Sequence, residues 1–188
     1  EGIEKLDNNH DFACEKCHLL PENRHVPLPQ HDLIVRFPGA PFHADLFCGT
    51  CHRKEITHFK NSLHYTLAGM INQTRFLWGA QPDPAPRYSA ADHESLNSLP
   101  PSPSSPQNPA DLVNDLLRRR CFVCHVGLKP PQRKGLYRGV GCSACHIPYA
   151  DDGIYRGGDR AMKRKKGYPE AHIFCKTIQT SQCLHCHN

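Results

Sequence analysis

The sequence predicts a mostly irregular chain with short α-helices and little or no β-sheet. Three observations predict it. Hydrophobic residues make up only 38% of 188 positions and the mean hydropathy is -0.59, so apolar burial struggles to offset the entropy of ordering the backbone. The chain holds 17 Pro and 13 Gly, which interrupt long regular elements. Ten of its 11 cysteines fall into five copies of one short unit, Cys-x-x-Cys-His, and only Cys175 is left over.

The five units are CEKCH (Cys14, Cys17, His18), CGTCH (Cys48, Cys51, His52), CFVCH (Cys121, Cys124, His125), CSACH (Cys142, Cys145, His146) and CLHCH (Cys183, Cys186, His187). A structural zinc site pairs two CxxC knuckles on one ion and does not need a histidine after each pair. A disulfide across two residues is redox-active or strained rather than a fold staple, and a thioredoxin-like dithiol occurs once per domain. The pattern is instead the attachment signature of c-type haem. Two thiols form thioethers with the porphyrin vinyl groups, and the adjacent imidazole lies under the iron as proximal ligand. Five covalently attached haems c follow, with His18, His52, His125, His146 and His187 as proximal ligands. With 188 residues for five haems, none has a globule to itself. The expected architecture is therefore haem-packed, with porphyrin faces serving as core.

Along the chain, residues 80–110 contain eight prolines and many serines, the composition of a Pro/Ser-rich linker or extended arm. It separates a two-haem segment, 1–79, from a three-haem segment, 111–188. A stretch of 31 residues is long for a connector inside a compact unit, so wrapping around haems or a neighbouring molecule is expected. In HRKEITHFKNSLHYTLAGMI, residues Ile56, Phe59, Leu63, Leu67 and Met70 recur at helical spacing, and His64 lies beside that stripe. A second helix is expected from Asn108 as cap and Pro109 at the first position, carrying Leu112, Val113, Leu116 and Leu117 into CFVCH.

Neutral imidazole is the natural sixth ligand for a low-spin haem that only transfers electrons. Methionine is scarce (Met70 and Met162), so bis-His ligation and low potentials are favoured. The distal candidates are His64, His172, His43, His10 and His31. His25 and His58 rank below them, His93 sits in the polar stretch, and His185 lies inside an attachment loop and points away from its own iron. Cys175 reads as a small apolar residue. Tyr149 and Tyr155 are expected against porphyrin edges.

The formal charge is +5, but each ferric haem core adds about +1 and its ionised propionates about -2, which brings the oxidised holoprotein near neutrality. Arg118 to Arg120 and Lys163 to Lys166 read as propionate partners or solvated faces, and no nucleic-acid role follows. No apolar stretch reaches 18 residues, so no membrane span is expected. The opening EGIEKLDNN suits a mature chain whose signal peptide has been removed. Thioether attachment takes place outside the cytoplasmic membrane, so a periplasmic or extracellular location is expected.

CGTCHRKEITHFKNSLH resembles a segment of the hydroxylamine oxidoreductase and octahaem tetrathionate reductase superfamily of multihaem cytochromes c, in which the residue matching His64 is a distal ligand. GCSACHIPYADDGIYRGGD, with GYPEAHIF and QCLHCHN, is similar to a block of extracellular multihaem cytochromes, which implies His172 as an axial ligand. Longer members run past the HCHN position, so a fragment or processed form is among the expectations. The function expected is electron transfer through closely packed, mainly bis-His haems, handing electrons between redox partner proteins. One version is an extracellular conduit or filament with inter-subunit haem contacts. The alternative is a fragment or subunit of an oxidoreductase acting on nitrogen or sulfur compounds at a five-coordinate haem. No CxxCK motif supports that alternative.

Overall fold

The computed structural model describes residues 9–24, 31–128, 138–148 and 174–187. About half of these residues are helical and the sheet is minimal, as composition predicts. The α-helices are α1 (Cys14–His18), α2 (Pro41–Phe47), α3 (Gly49–Lys60), α4 (Leu63–Thr66), α5 (Ala68–Leu77), α6 (Pro109–Leu116), α7 (Ser143–His146) and α8 (Thr180–Cys183). Strands β1 (Tyr88–Ser89) and β2 (Asn97–Ser98) pair in parallel. Among the described residues no helix is long and apolar enough to cross a membrane.

The chain forms two compact units. One comprises residues 1–53 with 129–188, and the other residues 54–128. This division differs from the sequence-based one at 1–79, 80–110 and 111–188, because the proline-rich stretch folds into the second unit. Asn72 on α5 provides the anchor: its side-chain amide donates to the Tyr88 carbonyl (2.9 Å), while its oxygen accepts from the Arg87 and Tyr88 amides (3.0 and 3.2 Å). Arg75, buried one helical turn on, donates to the Gln81 side chain (3.2 Å), the Ala80 carbonyl (3.1 Å) and Asn114 of α6. Its guanidinium also lies over the Tyr88 ring at 4.5 Å. A buried cation is tolerated only when its donors are satisfied in this way. Leu99, from the same stretch, joins Ile71, Val113 and Leu117 in the hydrophobic core of this unit.

The helix expected across residues 52–71 is broken into pieces. Ser62 caps α4 by accepting from the Tyr65 amide (3.3 Å), and Leu67 takes a left-handed conformation with φ 50° between α4 and α5. A side-chain oxygen offered to an early helix amide starts a new helix, and a positive φ ends one. The second expected helix forms as read. The Asn108 side chain accepts from the Asp111 amide (2.9 Å), Pro109 begins the helix, and Val113 faces the core.

The first unit is built differently. Its buried apolar side chains, among the described residues, are Leu19, Ala40, Ala44, Val140, Ala144 and Ile147. Half of these are alanines. Gly141, with φ 65°, brings its backbone against Gly39, where a Cβ would collide with the Gly39 carbonyl. The next amide, Cys142, donates to that carbonyl at 3.1 Å. This contact seats the turn before α7 on the turn before α2.

Candidate functional site

Four of the five Cys-x-x-Cys-His units lie in the first unit: those beginning at Cys14, Cys48, Cys142 and Cys183. The first is itself a single helical segment, α1. In the other three the histidine amide donates to the carbonyl of the first cysteine: His52 to Cys48 (2.8 Å), His146 to Cys142 (3.1 Å) and His187 to Cys183 (2.9 Å). A helical turn places residues i and i+3 or i+4 on one side, so both thiols and the imidazole are presented together. In CSACH the turn is closed by Ser143, whose hydroxyl donates to the Val140 carbonyl (2.9 Å) and accepts from the Val140 amide (3.1 Å).

Two of these histidines are held by backbone carbonyls. His18 Nδ1 lies 2.8 Å from the Val35 oxygen, and His146 Nδ1 lies 2.8 Å from the Cys175 oxygen. A carbonyl only accepts, so Nδ1 carries the proton and Nε2 the lone pair. This tautomer and orientation are what a metal-ligating imidazole needs. The backbone around each is clamped as well, with the Val35 amide donating to His18 (2.8 Å) and the Cys175 amide to His146 (2.7 Å). Cys175, the odd cysteine, thus acts on His146 through its main chain.

The four units also lie near one another. Burial, with further contributions from the neighbouring Cys142 and Cys17 thiols, pushes the Cys48 thiol up to about 11. Burial, then the nearby Cys183, raises Cys145. Burial likewise raises Cys17, Cys121 and Cys142. A dithiol built for exchange or nucleophilic attack lowers its attacking thiol, and the shifts resolved here run the other way. A tetrahedral zinc site needs several converging ligands; among the described residues no group of three or more His, Cys, Asp or Glu converges. A haem iron takes its equatorial ligands from the porphyrin and asks the protein only for axial ones.

The third Cys-x-x-Cys-His motif, Cys121 to His125 in the second unit, departs from the pattern. Its backbone is a π turn over Leu117–Cys121 followed by a 3₁₀ turn over Phe122–Cys124. The His125 amide donates to Phe122 (3.0 Å) rather than to the first cysteine. His125 is 4% exposed, and its Nε2 lies 2.6 Å from the Tyr65 carbonyl. The protonated nitrogen is therefore Nε2, the opposite tautomer to that of His18 and His146. Ligation of an iron through Nε2 would replace this bond to the Tyr65 carbonyl.

The distal candidates are scattered. His10 lies beside His52, with ring centres 6.1 Å apart and planes 17° apart. His43, on α2, lines a cavity of about 350 Å³ with Leu20, Val35, Phe37 and Phe42, next to the segment that holds His18. His64 is exposed on α4, as is His58 on α3. His31 begins a 3₁₀ turn, His31–Leu33. His93 is engaged by Asn61 (3.1 Å) and accepts from the Ser95 amide (3.1 Å). His25, His172, Tyr149, Tyr155 and Lys163 to Lys166 lie outside the described residues. Of the basic run, Arg118 donates to the Leu99 carbonyl (2.7 Å) and Arg119 pairs with Asp115 (2.7 Å), so both serve the second unit's own fold.

Sequence reasoning passed over three features. His185, expected only to point away from its own iron, is 3% exposed. Arg138 is buried near Cys145, which its charge draws downward against the burial effect. The Val35 and Cys175 carbonyls carry no side-chain signature, although the unpaired Cys175 marked one of the two positions. No family model, curated protein or solved structure matches the chain.

Proposed function

We propose that the protein is a pentahaem c-type cytochrome that transfers electrons through closely packed, mainly bis-His haems. The observation that carries the reading is the fivefold Cys-x-x-Cys-His unit, four copies of which share one compact unit whose described apolar core is slight. The residues suit the group: paired cysteines on a turn, and His18 and His146 fixed with Nε2 as the lone-pair nitrogen. The haems would supply reversible one-electron redox chemistry. The chain's own residues attach them, orient the imidazoles through Val35 and Cys175, and set the spacing between neighbours through the Gly39–Gly141 contact.

Cys48 is influenced by Cys17 and Cys142, and Cys145 by Cys183. Haems attached at these cysteines would be neighbours, as conduction requires. The buried Arg138 suits a propionate near the fourth motif. Redox partner proteins outside the cytoplasmic membrane complete the reading, and assembly into a conduit or filament is its extended form.

Low-temperature EPR of the oxidised protein tests it. Low-spin ferric signals accounting for the iron are expected. A dominant high-spin, five-coordinate signal would favour a substrate-binding haem and overturn the electron-carrier reading.

A further inference from the structure

We infer that His10 and His52 are the two axial ligands of one iron, that of the haem attached at Cys48 and Cys51. The inference rests on the haem reading above and adds a pairing that the sequence does not give. His10 precedes the first attachment motif, so its nearest haem along the chain is the one at Cys14 and Cys17, not this one.

The geometry is specific. The two imidazole centres are 6.1 Å apart and their planes differ by 17°. Nearly parallel rings at that distance are too far apart for face-to-face contact. Two imidazoles that each direct a ring nitrogen at one metal, with metal–nitrogen bonds of about 2 Å and ~1.1 Å from nitrogen to ring centre, have centres about 6 Å apart. His10 is also held from other sides. Phe174 stacks on it with centres 4.7 Å apart and planes at 26°, and Phe12 meets it edge-on at 6.4 Å and 83°. The Phe12 amide donates to the His10 carbonyl (2.8 Å), which fixes the backbone of the same turn. His52 is the residue at which α3 leaves helical geometry, with φ -113° and ψ 36°. Two flanking aromatics and a distorted partner are more than a surface histidine requires, and ordering a ligand ring in advance reduces the entropy lost on ligation.

Phe174 adds a connection. The residue after it, Cys175, holds the His146 imidazole through its carbonyl. One short stretch therefore positions a ligand of the second-motif haem and a ligand of the fourth-motif haem.

The test uses the intact holoprotein and reads spin state and haem mass rather than activity. In His10→Ala, five haems remain attached, one iron in five passes from low-spin to high-spin, and added imidazole returns it to low-spin. In a Cys48→Ser/Cys51→Ser background, with four haems, His10→Ala adds no high-spin signal. Two results would overturn the pairing: five haems that all stay low-spin in His10→Ala, or a high-spin signal that persists in the four-haem background. If the alanine variant fails to fold, His10→Met replaces it. That variant is expected to show the sulfur-to-iron charge-transfer band from one haem, and its absence with five haems attached overturns the pairing equally. A wild-type chain without haem would overturn both this inference and the reading beneath it, and the mass measurement separates that outcome from the others.

Discussion

Residues 54–128 and the unit formed by 1–53 with 129–188 reach order by different means. The former buries Ile71, Leu99, Val113 and Leu117 against one another and ties its proline-rich stretch down through Asn72 and Arg75. The latter carries four of the five Cys-x-x-Cys-His motifs, yet its described buried apolar residues are Leu19, Val140, Ile147 and three alanines. Its polar contacts centre on the motifs: Val35 on His18, Cys175 on His146, Gly39 on Cys142. Among the described residues, the difference teaches that motif density and apolar core trade places. The one motif inside residues 54–128 is the one whose histidine is buried on a carbonyl.

The largest effect follows from withholding haem. On the proposed reading, a chain made without haem attachment loses amide protection throughout the four-motif unit while residues 54–128 retain it, as hydrogen exchange resolved by mass spectrometry would show. Equal protection of both units would break the comparison. Ile71→Ala acts in the opposite sense: it opens a cavity in the second unit at a cost of about 2–5 kcal/mol, leaving haem content and the low-spin spectrum of the other four sites unchanged. Denaturation followed by Trp78 fluorescence, a probe within that unit, measures it. Asn72→Ala is a smaller lesion. It strands the Arg87 and Tyr88 amides and the Tyr88 carbonyl, costs about 1–3 kcal/mol, and raises proteolytic cleavage within residues 80–99.

The smallest effect belongs to Asp83. The Ala85 amide, then the Arg87 guanidinium, hold its carboxyl below the ordinary range. Its folded-state value is depressed, so the contribution is fully present above the unfolded value of about 4 and is lost as pH falls through the folded value. Asp83→Asn should lower the second unit's stability slightly at neutral pH and flatten its acid limb, the variant and the parent chain converging as the pH falls.

Legibility divided along the same line. The five motifs could be read from spacing alone, and α6 from Asn108, Pro109 and the apolar residues after them, because these signals are local. Residues 80–110 could not, since proline and serine content speaks of a linker while the side chains that recruit the stretch, Asn72 and Arg75, stand on α5. The break at Ser62 and Leu67 was hidden for a related reason. The apolar spacing continues across it, and a cap and a left-handed residue leave that spacing intact. His125 and His185 share one histidine code with the other candidates, and only burial and hydrogen-bond partners tell them apart.

The intact mass of the purified native protein, taken under denaturing conditions, addresses the central claim most directly. Thioether-linked haem survives unfolding, so the chain is predicted to exceed its 21.2 kDa polypeptide mass by five haem groups. A species at the bare polypeptide mass would contradict the account.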